Sequence, residues 1–350
     1  MSVVAGRLGH SDERVIAQVY QYVTKEFARQ GLMRPLKYGS KMGDASELCI
    51  TPVSPVLGAE VRGLDLAEGV DDATFSILHR AFLEHGVLLF KNQTAMPVPV
   101  QLALCRRLGP LHEHSAAPSD QDYPALLVFR THRDSKVSSG NGWHTDVSCE
   151  AEPPSATMLQ IRVTPPDGGG DTLFADMEAA YATLVPARRR RLCGLTARHA
   201  MAHWPRVSEH LDGGPYRDPS YEPDADPPDV DLPEAIHPVV RTHPETGRRS
   251  LYVNPSFTVS IEGLEDADGR DMLESLHRHC ARPEFQIRQR WQVNDVALWD
   301  NRRVQHFPIW DYWPHERCGN RVTVRGDRPF FDPAGEDPPP SILRLSEQAL

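Results

Sequence analysis

Paired cysteines, long apolar runs and an excess of positive charge are all missing from this sequence, and each absence removes a class of protein. Cys49, Cys105, Cys149, Cys193, Cys280 and Cys318 are scattered, with no CxxC pair and no readable secretory leader ahead of them. That argues against a zinc ribbon or a disulfide framework and leads to an expectation of reduced thiols in a cytoplasmic setting. No stretch approaches the roughly 18 uninterrupted apolar residues that a membrane span needs, so a soluble chain with no membrane partner is expected. Lysine and arginine number 38 against 48 acidic residues, a net charge of −10, which disfavours nucleic acid and anionic membrane surfaces as partners. There is no internal repeat. With 350 residues, 40% of them hydrophobic, the chain can bury one large core or two modest ones, and a single elaborated domain is favoured.

Residues 11–31 read as an amphipathic helix, capped at Ser11 or Asp12 and closed at Gly31, with Val15, Val19, Val23 and Phe27 at helical spacing. Residues 1–47 are therefore assigned to an N-terminal helical extension suited to docking or oligomer contact, and the main body to 48–333. Asp71 to Gly86 reads as a capped helix with Phe75, Leu78, Phe82 and Leu83 inward. GVLLF (86–90) follows as a buried strand, and a second helix runs from about Pro97 to Gly109. Beyond it, ATMLQI, DTLFA, AIHPVV, RSLYVN, IRQRWQV, VALWD and RVTVRG are strand-like runs between Pro/Gly/Asp turns. The pattern is mainly β with flanking helices, an α+β chain. Helical inserts are expected near 176–194 and 266–281, with ARRRR (187–191) as a solvated helix face. Residues 212–234, crowded with proline and aspartate, are expected to form a flexible loop or lid, and 334–350 a loose tail.

The sharpest chemical feature is Trp143-His144-Thr145-Asp146. On an extended strand, residues i and i+2 project from one face and can reach the same cation. Imidazole nitrogen with carboxylate oxygen suits a borderline divalent ion, and one histidine from a distant strand would complete a two-His-one-carboxylate face. His306, in WDNRRVQHF, is the candidate. An HxD triplet alone is a weak signal in a chain with 16 histidines, so its surroundings decide.

Those surroundings are NGWHTDVSCE, GGGDTLFADMEAAY, IHPVVRTHPETGRRSLYVNPSFT and PEFQIRQRWQVNDVALWDNRRVQHFPIWDYWPHERCGNRVTVRGDRPF. In order, from about Ile50 to Phe331, the chain resembles the taurine dioxygenase (TauD/TfdA-like) family, which includes herbicide-degrading and alkylsulfatase dioxygenases. The resemblance implies a double-stranded β-helix, a cupin-like jelly-roll barrel, with the HxD strand and the late histidine at one open end. It implies Fe(II), 2-oxoglutarate and O2 as cofactor and co-substrates, with ascorbate supporting activity and succinate and CO2 released. His144, Asp146 and His306 match the iron ligands, and retention of the carboxylate excludes the halogenating variant. Thr172 and Arg317 match the pair that meets the far carboxylate of 2-oxoglutarate, a task for which a planar guanidinium is suited. His114 and Arg321 match the two ends of an anion clamp in sulfonate-using relatives, although Arg321 alternatively supports the 2-oxoglutarate carboxylate.

Val147 is expected to present its backbone N–H to the substrate. Trp143 and Trp299 are expected either to wall the pocket or, equally well, to pack the core, and Asn301 to hold loop backbone. Ala117 and Gly140 stand where the taurine enzyme has an aromatic residue and an asparagine, which implies a cavity open to a bulkier molecule. His199, His203, His237 and His243 are assigned to scaffold. A homo-oligomer acting on a small molecule is the expectation from the family. Two competing readings follow from the residues: a metal-dependent hydrolase, which also uses two histidines and an acid but has no need of Thr172 and Arg317, and a non-catalytic barrel. Within the family, a natural-product tailoring oxygenase competes with a sulfonate or sulfate-ester dioxygenase.

Overall fold

A strand that is apolar at every position needs cover on both faces, and in the computed structural model Val87–Phe90 has it. The structure describes residues 36–37, 48–114, 122–135, 140, 142–201 and 233–338. The helix read over 11–31, residues 212–232 of the loop, residues 339–350 of the tail, Ala117 and His203 lie outside the described residues. Val87 and Leu89 enter one apolar cluster, while Leu88 and Phe90 enter another. The alternation continues through the neighbouring strands. Ala297 and Trp299 of Val296–Asp300, with Leu159 and Ile161 of Ala156–Val163, share the first cluster; Val296, Leu298, Ala156 and Met158 share the second.

These strands centre a nine-stranded sheet in the order Leu36–Lys37, Cys49–Pro52, Ala59–Arg62, Val87–Phe90, Val296–Asp300, Ala156–Val163, Arg317–Val324, Leu111–His112, with Leu126–Thr131 also paired to Arg317–Val324. Across the first cluster lies a three-stranded antiparallel sheet, Thr172–Asp176 between Gln286–Gln289 and Val304–Pro308. Phe174, Ala175, Ile287 and Val304 from this small sheet join Leu159, Ile161, Ala297 and Trp299 from the large one. The large sheet is antiparallel except where Ala59–Arg62 runs parallel to Val87–Phe90, and the two sheets facing each other over a shared core make the expected jelly roll, open at its edges.

Helices cover the outer cluster. Asp72–His85 begins where the Asp71 carboxylate accepts from the Thr74 N–H at 2.7 Å and ends at left-handed Gly86 (φ 69°), where the sequence places its caps. Leu78 and Phe82 are buried as expected; Phe75 and Leu83 are only half-buried, and the Arg107 guanidinium lies 4.1 Å over the Phe75 ring. The second helix is Val98–Arg106. The expected inserts are Met177–Ala182 with Pro186–Leu192, and Asp266–Cys280. Arg190 and Arg191 are exposed, while Arg188 and Arg189 bond Ser275 and Asp337. Among the described residues no helix is long and apolar enough to cross a membrane.

Candidate metal centre and co-substrate pocket

His144 and His306 are far apart in sequence and meet through the backbone. The His144 N–H donates to the His306 carbonyl at 3.0 Å and the His306 N–H returns the bond at 2.8 Å, a single-residue antiparallel bridge. Their rings are 4.1 Å apart between centroids. The HxD segment is not the extended strand expected from sequence. His144 alone is strand-like, and Asp146 already begins a turn whose next residue, Val147, has φ 35°. A β-branched residue in the left-handed region is strained. Burial of Val147 with Cys149 and Phe257 holds it there, directly after the acid.

Asp146 Oδ1 lies 3.8 Å from His144 Nε2 and 3.6 Å from His306 Nε2. Among the described residues these three form the one group of His, Cys, Asp and Glu side chains close enough to hold a metal, with all three ligand atoms within 4.8 Å of one another. His144 Nδ1–H donates to the Gly142 carbonyl at 2.8 Å, which leaves Nε2 with its lone pair toward the shared point. Burial pushes the His144 and His306 imidazoles toward the neutral form a metal requires. For Asp146 burial opposes ionisation, but Arg321, His306 and His144 hold its carboxyl well below the usual carboxylate range. Two neutral imidazoles and one carboxylate on one face fit Fe(II).

Thr172 and Arg317, 145 positions apart by number, converge on Trp291. The indole Nε1–H donates to Thr172 Oγ1 at 2.9 Å, so the threonine keeps its own hydrogen for another acceptor. The Arg317 guanidinium sits 6.0 Å from the Trp291 ring centre and 5.0 Å from that of Phe129. It is buried, its Nη2 has no hydrogen-bond partner, and burial lowers its pKa. Tyr312 bonds the guanidinium, but a buried donor nitrogen left without an acceptor is costly, so the open edge at Nη2 fits a carboxylate. Gly170 permits the close packing. At φ 82°, a Cβ there would stand 2.7 Å from Arg317 Cδ. The pocket adjoins the metal face because Phe174 and Thr172 lie opposite His306 and Pro308 in register.

On the substrate side, Arg321 Nη2 is 2.8 Å from Asp146 Oδ1. The sequence left two roles open for Arg321, one end of an anion clamp or support of the 2-oxoglutarate carboxylate, and its guanidinium lies beside the acid of the His-Asp-His group. His114 feels both Arg321 and Asp146, and burial, aided by Arg321, pushes its pKa down to about 4. A Cβ on Gly140 (φ 84°) would lie 3.0 Å from His144 Cε1, so a side chain here would be strained and would crowd the His144 ring. Trp143 packs on Phe307, 5.8 Å between centroids. Trp299 takes the core-packing place of the two expected for it: it is buried behind His306, with ring centroids 4.9 Å apart.

Three of the histidines assigned to scaffold have partners in the body of the fold. His199 bonds Ser148, His237 bonds the Glu150 carbonyl, and His243 pairs with Asp300 at 3.0 Å. The sequence reading missed Thr157, Trp291 and Tyr312, whose hydroxyl lies 2.6 Å from Thr131 Oγ1 and whose side chain bonds Arg317. Thr157 donates to Asp146 Oδ2 at 2.5 Å, and its signal is a polar residue inside the apolar run ATMLQI.

An oxygen-activating iron enzyme fed by 2-oxoglutarate is the class that such a fold and such a pocket define: a 2-oxoglutarate-dependent non-haem iron dioxygenase. Residues 50–324 match the profile of the taurine catabolism dioxygenase TauD, TfdA family, and the chain belongs to that family. It is 33% identical over 294 residues to an alpha-ketoglutarate-dependent sulfate ester dioxygenase of Pseudomonas putida, covering 81% of this chain and 92% of the relative. It is 32% identical over 271 residues to an alpha-ketoglutarate-dependent 2,4-dichlorophenoxyacetate dioxygenase of Cupriavidus pinatubonensis, covering 73% and 90%. A crystal structure of a taurine dioxygenase from Burkholderia xenovorans superposes with a TM-score of 0.67 at 29% identity, over 85% of this chain and 99% of that one.

Proposed function

We propose that the chain hydroxylates, oxidatively cleaves or desaturates a small organic anion, with His144, Asp146 and His306 as iron ligands. Thr172 and Arg317 hold the far carboxylate of 2-oxoglutarate; His114, Arg321, Val147 and Trp143 surround the substrate. The observation that carries this reading is the buried, unpartnered Nη2 of Arg317 beside Thr172, next to a two-His-one-carboxylate face. A metal-dependent hydrolase needs the second feature and has no use for the first.

When bound, Fe(II) and 2-oxoglutarate supply the oxidising power with O2, and succinate and CO2 are released. The protein's part is binding, orientation and exclusion of water. Arg317 offers paired donors to a carboxylate, and Thr172 adds a hydroxyl hydrogen that its bond to Trp291 leaves free. Phe129 and Trp291 keep this end dry. Trp299 and Phe174 back the His306 ring and fix its direction. Arg321, with a side chain 19% exposed, is the cation nearest the metal-facing acid, and His114, held neutral, adds a hydrogen-bonding edge. The relatives' named substrates, a sulfate ester, 2,4-dichlorophenoxyacetate and taurine, each carry an acidic group, which supports an anion.

The catalytic unit in this reading spans 48–333, with 1–47 as an added helical extension, 212–234 as a flexible loop and 334–350 as a tail. A cytoplasmic homo-oligomer is the proposed form. Free thiols at all six cysteines support the first part, and exposed Val128 on the edge strand Leu126–Thr131 gives self-association a surface. The test is succinate release from 2-oxoglutarate with Fe(II) and ascorbate, in air and under argon, against sulfate esters, sulfonates, aryloxy acids and carboxylated natural products. Oxygen-dependent, substrate-stimulated succinate is expected. Metal-dependent turnover of any of these compounds under argon contradicts the reading.

A further inference from the structure

Behind the metal face runs a hydrogen-bond chain whose direction is fixed at both ends. The Trp299 indole Nε1–H can only donate, and it does so to Asn301 Oδ1 at 3.0 Å. That fixes the amide orientation, so Asn301 Nδ2–H donates to Thr157 Oγ1 at 2.8 Å. With its oxygen already accepting, Thr157 turns its O–H to Asp146 Oδ2 at 2.5 Å, and an ionised carboxylate can only accept. All four side chains are buried. Thr157 and Trp299 are direct partners in the pairing of Ala156–Val163 with Val296–Asp300, so the chain is built into the sheet and not into a mobile loop. The Thr145 hydroxyl, between the two HxD ligands, donates to the Asn301 and Val304 carbonyls at 3.0 and 2.7 Å and ties the turn to the same segment.

We propose that Thr157 is a positioning residue for the metal-binding carboxylate: its hydroxyl, aimed by Asn301 and Trp299, occupies Asp146 Oδ2 and leaves Oδ1 alone to face His144 and His306. This rests on the reading of Asp146 as an iron ligand. Its chemical purpose is economy of coordination. A carboxylate that binds through both oxygens fills one more position on the metal, and a two-point co-substrate plus oxygen need every position the three protein ligands leave. A carboxylate held at Oδ2 also cannot swing wholly to the Arg321 guanidinium, 2.8 Å from Oδ1. Outer partners that orient metal ligands are typically worth about 10- to 100-fold in metal affinity.

The experiment titrates Co(II) into the metal-free full-length protein under argon, following the visible Co(II) spectrum, which reports coordination number. Thr157→Val removes the hydroxyl at nearly constant volume and Thr157→Ser keeps it. The parent and the serine variant are expected to bind Co(II) with the same spectrum and affinity, and the valine variant about 10- to 100-fold more weakly with a changed spectrum. Valine and serine variants alike in both readouts overturn the proposal. Should the valine variant not fold, Thr157→Ala against Thr157→Ser carries the same comparison. A parent chain that takes up no Co(II) fails at the metal centre itself, a result distinct from a parent that binds while its variants do not differ.

Discussion

Arg317 and Arg321 are four positions apart on one strand and do different work. Arg317 is buried between Phe129 and Trp291 with an unpartnered nitrogen, whereas Arg321 touches the metal-facing acid. Arg317→Lys keeps the charge but loses the planar fork, so KM for 2-oxoglutarate is expected to rise by about 10-fold or more with a smaller change in kcat. Steady-state succinate release checks it, and an unchanged KM would remove Arg317 from the co-substrate pocket. Arg321→Ala is expected to abolish substrate-stimulated turnover and spare the slow decay of 2-oxoglutarate without substrate. Equal loss of both rates would instead place Arg321 on the co-substrate. The cluster of His144, Asp146 and His306 was legible at this scale because metal-binding chemistry restricts residue type. Thr157 was not, because a threonine inside an apolar strand has the same spelling whether it packs or points at a ligand.

Elements decide how closely these side chains approach. The glycine run ahead of Thr172–Asp176 lets backbone lie against Arg317: Gly170 combines φ 82° with a would-be Cβ 2.7 Å from Arg317 Cδ. Gly170→Ala is expected to cost about 1–3 kcal/mol of stability, read from urea melts, and to weaken 2-oxoglutarate binding together with it. A neutral result in both would show that the loop has room to move. Strand positions, the capped helix at Asp72–His85 and the inserts were readable from periodicity and caps. The HxD segment was read as a strand because alternation favours one, whereas the structure turns at Asp146 through a valine with φ 35°. Nothing in the local sequence announces a β-branched residue in that conformation; the buried contacts with Cys149 and Phe257 impose it. Likewise the pairing of Thr157 with Trp299 is a matter of long-range register.

Across the whole molecule, a buried ionic web joins the layers behind the site. Asp300 pairs with Arg302 at 2.7 Å and His243 at 3.0 Å, Arg302 reaches Glu245 at 2.6 Å, and Arg303 bonds Asp176 and the carbonyls of Leu83 and Glu84 in the outer helix. Burial opposes ionisation of Asp300, but Arg302 and His243 hold its pKa well below the ordinary 3.8. A depressed carboxylate stabilises the fold fully above its unfolded value and loses that contribution as pH falls through the folded one. Asp300→Asn is therefore expected to cost about 3–5 kcal/mol at pH 7, with the gap to the parent closing well below pH 3.8 in urea melts. A gap that stays constant with pH would assign the loss to packing. The proposed metal site is shared by His144, Asp146 and His306 and completed by 2-oxoglutarate held at Arg317. Anaerobic titration of Fe(II) into the protein with 2-oxoglutarate, following the visible charge-transfer absorption of the iron–keto acid chelate, tests it most directly. The band is expected to saturate at one iron per chain in the parent and to vanish in His306→Ala; a band that persists in His306→Ala, or never forms in the parent, contradicts it.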